Sequence, residues 1–172
     1  MANSKQLIPK IQKWEGGWAD DPTDNGGATM KGITLATFTT YRKSKGMPPP
    51  TKADLKAISE TEWGAIFKTL YWDRWNADRI ENQSVANILV DWVWGSGAWG
   101  IKIPQRIMGL KEDGIVGNIT ITRLNTLPQA KIFEQIKAAR VKFLFDIVKR
   151  DPKQNKFLQG WLNRLNDFIF NT

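Results

Sequence analysis

The sequence predicts a mostly α-helical protein in which a small irregular or hairpin lobe follows the first helix. Three observations carry this. Apolar residues recur at helical spacing along most of the chain. No segment of any length alternates apolar and polar residues as a half-buried strand would. Turn-forming residues concentrate in one early stretch, "GGWADDPTDNGGATMKG", instead of recurring at the short intervals of a β protein.

Each element follows in order. Leu7, Ile8, Ile11 and Trp14 share one face, so the first helix runs from about Ser4 to Trp14 and stops at Gly16-Gly17. Residues 20–33 read as turns with at most a short hairpin. Thr34 caps a second helix to about Lys45, with Leu35, Phe38 and Tyr41 inward, and "GMPPP" is a stiff connector. Thr51 with Asp54, and Ser59 with Glu62, have capping-box spacing and start two more helices. The second of these turns Trp63, Ile66, Phe67 and Leu70 to one side. A helix from about Ser84 to Trp94 ends at "GSGAWG", the best-marked internal break. It sets an expected division into residues 1–92 and 93–172, packed together as one unit. Then come a helix near Ile101 to Met108, the loop "GLKEDGIVGN" and a short helix near Ile119 to Asn125. Pro128 opens a long helix to about Arg150, and Asp151-Pro152 caps a last one to Phe170.

Composition removes whole classes of chemistry. With 172 residues the chain can bury one sizeable core. It has no cysteine, hence no disulfide or thiol chemistry, and no histidine. Zinc amidases and peptidases, and the Ser–His–Asp and Cys–His hydrolases, all lean on imidazole. Carboxylates remain as acid–base groups, and no metal or cofactor is implied. The net charge of +8 favours a polyanionic partner. Basic residues are dispersed, with a mild concentration at "AARVKFLFDIVKR", so a nucleic-acid partner is not expected. No apolar run is long enough to cross a bilayer, and "MANSKQLIPKIQKW" lacks the apolar core of a signal peptide. Any route out of the cell must come from something else. A monomer is favoured, although no residue pattern decides the oligomeric state.

Glu15 stands where the first helix runs out. The partial negative charge at that helix end disfavours an ionised carboxylate, and Trp14 and Trp18 flank it. A carboxylic acid that keeps its proton can hand it to a leaving oxygen. Gly16 and Gly17 let the backbone turn sharply and a bulky ligand come close. Asp24 follows in a polar turn where it should stay ionised, with Asp20 and Asp21 as nearer rivals for that role. Thr29 and Thr34 offer hydroxyls that could position a water molecule. Two carboxyl groups, one protonated and one charged, are what glycoside hydrolysis requires.

The stretch "EGGWADDPTDNGGATMKGIT" resembles the signature of glycoside hydrolase family 108, the N-acetylmuramidase-type lysozymes. Glu15, Gly16, Gly17, Asp21, Pro22, Asp24, Gly26, Gly27, Thr29, Gly32, Ile33 and Thr34 occupy its positions. "YWDRW" is similar to a further family segment, and Asp91 falls where the family has a D-x-x-x-x-x-G stretch. "DGIVGNIT" resembles the D-G-x-x-G-x-x-T element of the family's helical peptidoglycan-binding region, so the likeness covers nearly the whole chain. Trp18-Ala19-Asp20 and Trp94-Gly95 depart from the usual pattern.

The resemblance implies a lysozyme-like helical fold, peptidoglycan as substrate and cleavage between N-acetylmuramic acid and N-acetylglucosamine. It makes Glu15 the proton donor. The Glu-to-Asp spacing and the following threonine also resemble phage-type lysozymes, which would assign Asp24 and Thr29. Among the nine tryptophans, Trp14 and Trp63 read as core. Trp18, Trp72, Trp75 and Trp99 flank turns and are the candidates for stacking on sugars. Asp21, Thr34 and Asp91 complete the expected substrate-binding set. Anionic wall polymers would give the positive charge a use, after release through a holin or another export route. The rivals are a lytic transglycosylase, which needs one glutamate only, and a non-catalytic envelope-binding or secretion-associated protein.

Overall fold

The computed structural model describes residues 1–20 and 27–171. The chain forms two compact units, Ser4–Asp73 and a second made of Met1–Asn3 with Arg74–Thr172.

In the first unit, α1 (Ser4–Trp14) buries Ser4, Leu7 and Ile11 along one stripe. A three-stranded antiparallel sheet follows, ordered β1 (Trp18–Ala19), β2 (Thr29–Met30), β3 (Ile33–Thr34). Trp18 lies opposite Met30, Ala19 opposite Thr29, and Thr29 opposite Thr34. The β2–β3 turn is Lys31-Gly32 with φ of 48° and 77°. Two left-handed residues give the turn whose twist matches that of the strands. A lysine is strained there. The Trp63 indole N–H donates to the Lys31 carbonyl at 3.1 Å, and the lysine ammonium pairs with Glu60.

Next, α2 (Leu35–Ser44) starts at Thr34, whose hydroxyl accepts the Thr37 N–H at 3.0 Å, and it buries Phe38 and Tyr41. The reciprocal capping box of Thr51 and Asp54 opens α3 (Lys52–Lys56), and Ser59 caps α4 (Glu60–Phe67). Trp63, Ile66 and Phe67 are buried. The helix then widens into a π turn at Lys68–Trp72, followed by a tight 3-10 turn at Asp73–Trp75. The sequence gives no sign of this change of pitch. The Trp63, Phe67 and Tyr71 rings stack at 5.6 and 6.2 Å through it.

The second unit is built around α5 (Gln83–Ser96), buried without a break from Ser84 to Val93. A helix buried on every side needs neighbours on every side. It packs on α6 (Trp99–Ile107) and α8 (Gln129–Arg150). Gly97 ends α5 at φ 58° and ψ −132°, a conformation that only glycine tolerates. At Gly100 a Cβ would sit 2.5 Å from the Val93 nitrogen and 2.6 Å from the Trp92 carbonyl carbon. The missing side chain lets α6 lie directly on α5.

α7 (Asn118–Thr126) follows the loop, and α9 (Asn155–Asn166) follows a 3-10 turn capped by Asp151. The last helix ends at Asn166, short of the expected Phe170, and α6 starts two residues before its expected Ile101. Both chain ends join this unit. The Ala2 N–H donates to the Ile80 carbonyl at 2.8 Å, and the Asn171 N–H to the Ser84 hydroxyl at 3.0 Å.

Candidate active site

Glu15 is the first residue past α1, and its N–H donates to the Gln12 carbonyl at 3.3 Å, closing the final turn. Its side chain is half-buried, while Gly16 and Gly17 beside it are exposed. Among the described residues, nothing lies within 4 Å of where a Cβ at either glycine would stand. The backbone next to the carboxyl group is therefore open to an incoming ligand.

The small sheet carries the next candidates. Trp18 is half-buried on β1, with the Lys56 ammonium 5.6 Å from its ring centroid. Such a cation over one face braces the ring. Asp20, a rival for the second carboxylate, is paired with Lys52 at 2.9 Å, which ties the end of β1 to α3. Thr29 and Thr34 face each other across β2 and β3. The Thr34 hydroxyl is occupied as the α2 cap and donates to the Thr37 hydroxyl at 3.0 Å. Local helix chemistry accounts for that side chain. Asp21 and Asp24 lie outside the described residues.

A network that the sequence did not suggest braces this region. Glu60 accepts from Gln12 Nε2 at 2.8 Å and from the Lys31 ammonium, joining the last turn of α1 to the β2–β3 turn. The bond from Lys31, then that from Gln12, holds the Glu60 carboxyl below the usual carboxylate range. Only the left-handed Lys31-Gly32 pair could have hinted at it, through the glycine.

Three expected sugar-binding residues are corrected. Trp72 and Trp75 are completely buried, so neither offers a ring face to a ligand. The Trp75 indole N–H instead donates to the Gly100 carbonyl at 3.2 Å. Asp91 is 1% exposed and clamped between Arg140 and Arg164, each at 2.7 Å. Burial would push its carboxyl up, but the two guanidinium groups outweigh this and hold it below the usual range. It locks α5 to α8 and α9. Trp99, by contrast, is 50% exposed on α6.

The "DGIVGNIT" loop is organised by a buried glutamine. Gln105 Nε2 donates to Asp113 Oδ1 and the Ile115 carbonyl at 2.9 and 3.0 Å, and its Oε1 accepts the Gly114 N–H at 2.9 Å. Gly114 takes φ 73°, and Ile115 and Ile119 stand out into solvent. Among the described residues no cluster of acidic side chains could hold a metal ion, and no helix is long and apolar enough to cross a membrane.

Comparison with known proteins gives two family matches. Residues 8–97 match the model described as Glycosyl hydrolase 108, and residues 99–166 match the one described as Predicted Peptidoglycan domain. No curated protein matches significantly. Among solved structures, that of Brucella abortus SagA aligns with a TM-score of 0.78 and 29% sequence identity, covering 96% of this chain and 90% of that one.

Proposed function

The chain belongs to the Glycosyl hydrolase 108 family, and from that premise we propose that it is an N-acetylmuramidase of the lysozyme type with Glu15 as general acid. The family is one of glycoside hydrolases, and the second match makes peptidoglycan the partner. The lysozyme-like, mostly helical fold with its small antiparallel sheet agrees with both.

The proposed reaction cleaves the β-1,4 bond between N-acetylmuramic acid and N-acetylglucosamine. The Glu15 carboxyl gives its proton to the glycosidic oxygen as the C–O bond breaks. Asp24, as a carboxylate, activates the water or stabilises the positive charge that develops on the sugar, with Thr29 orienting the water. Trp18, braced by Lys56, offers a ring to a neighbouring sugar. One observation carries the reading: a half-buried glutamate at a helix end opens onto exposed glycines, in a chain with no histidine or cysteine.

The test is turbidity clearing of purified cell walls by wild type and Glu15→Gln. The substitution keeps the shape and removes the acid, so clearing should fall by about a hundredfold or more. Equal clearing would overturn the assignment. Mass spectrometry of the products separates hydrolysis, which adds a water, from a transglycosylase, which leaves 1,6-anhydro ends.

A further inference from the structure

We propose that the groove between α6 and α8 is a second peptidoglycan-binding site, taking one sugar ring together with the carboxylates of its stem peptide. It rests on the reading of peptidoglycan as substrate and adds where, and by which part, the wall is held away from Glu15. The groove has a volume of about 590 Å³ and lies wholly within the second unit.

Its apolar part is rigid. Phe143 is fixed edge-on against the buried Trp92, with centroids 5.7 Å apart. Trp99 exposes half its surface, and the Lys102 ammonium lies 5.7 Å from its centroid. A flat, braced, half-exposed indole suits the apolar face of a pyranose ring.

The rest of the lining is charged. Arg106, Lys149 and Arg150 stand against one carboxylate, Asp146, which is itself bonded to Lys142 at 2.6 Å. Glu112 holds Arg106 at 2.6 Å. Lys149 and Arg150, both exposed in the last turn of α8, add two positive charges beside Asp146, to whose carbonyl Arg150 Nε donates at 3.2 Å, so the lining as a whole presents a surplus of cations to an anion. They come from "AARVKFLFDIVKR", the basic stretch for which the catalytic reading has no use. A phosphate polymer would satisfy the cations and leave the indole idle. A stem-bearing sugar satisfies both.

The experiment is co-sedimentation with intact sacculi in a Glu15→Gln background. Trp99→Ala, and Lys149→Glu with Arg150→Glu, should each weaken binding about tenfold, while Trp99→Phe keeps most of it. Sacculi stripped of stem peptides by an amidase should bind the parent protein as weakly as intact sacculi bind the groove variants. Unchanged affinity in the groove variants, undiminished binding to stripped glycan, or binding that tracks teichoic acid content would each overturn the proposal. All three sites are at the surface, and an unchanged thermal midpoint excludes misfolding.

Reducing-end release from short, stem-free glycan by the otherwise wild-type Lys149→Glu, Arg150→Glu protein should stay at the wild-type level. Normal release with groove-independent binding defeats this proposal alone. Absent release with groove-dependent binding defeats the muramidase reading alone.

Discussion

A backbone bond from its own N–H to the Gln12 carbonyl and the two glycines that follow help to position Glu15. Its replacement by glutamine should remove turnover and leave the melting temperature within a degree or two, because no core packing changes. Thr34 makes the opposite case. Its hydroxyl caps α2, so Thr34→Ala should lower stability by about 1 kcal/mol, read as a shifted urea midpoint. Activity per folded molecule should hardly change. Caps of this kind were legible because donor and acceptor lie three residues apart, as at Thr34, Thr51 and Ser59. The burial of Trp72, Trp75 and Asp91 was not. A tryptophan beside a turn looks the same in sequence whether the turn faces solvent or another helix, and Asp91 meets its arginines 49 and 73 residues away.

At the scale of elements, the contact of α5 with α6 depends on Gly100. In Gly100→Ala the new Cβ would press on helix backbone at Val93 and Trp92, which cannot rotate away as a side chain could. The expected cost is about 1–3 kcal/mol, seen as a lower denaturant midpoint at constant slope. A neutral result would mean that α6 can lift off α5 without penalty. The helices themselves were readable from apolar spacing, most clearly α1, whose ends fall where the pattern and the glycines put them. The π turn at Lys68–Trp72 was hidden, since it adds one residue per turn without any proline or glycine to announce it. The small sheet was foreseeable only as a short hairpin, because strands of two residues are too brief to show alternation.

For the molecule as a whole, acid stability rests partly on Asp91. Its folded carboxyl titrates below its unfolded value of about 3.9. Its stabilising contribution is therefore complete above that value and is lost as pH falls through the depressed folded one. Asp91→Ala removes the carboxylate that two guanidinium groups share beside the core and should cost about 3–5 kcal/mol at neutral pH. Comparing the acid unfolding of the two proteins should show this gap closing at low pH. Net charge acts at longer range: retention on cell walls should weaken as added salt shortens the screening length below about 8 Å.

The same clamp bears on how such chains could be recombined. The two family matches meet between residues 97 and 99, yet Asp91 lies before that seam and both its arginines after it. A cut at the seam would leave the carboxylate on one fragment and both guanidinium groups on the other, so shuffling these segments among wall-degrading enzymes demands partners already matched at this triad.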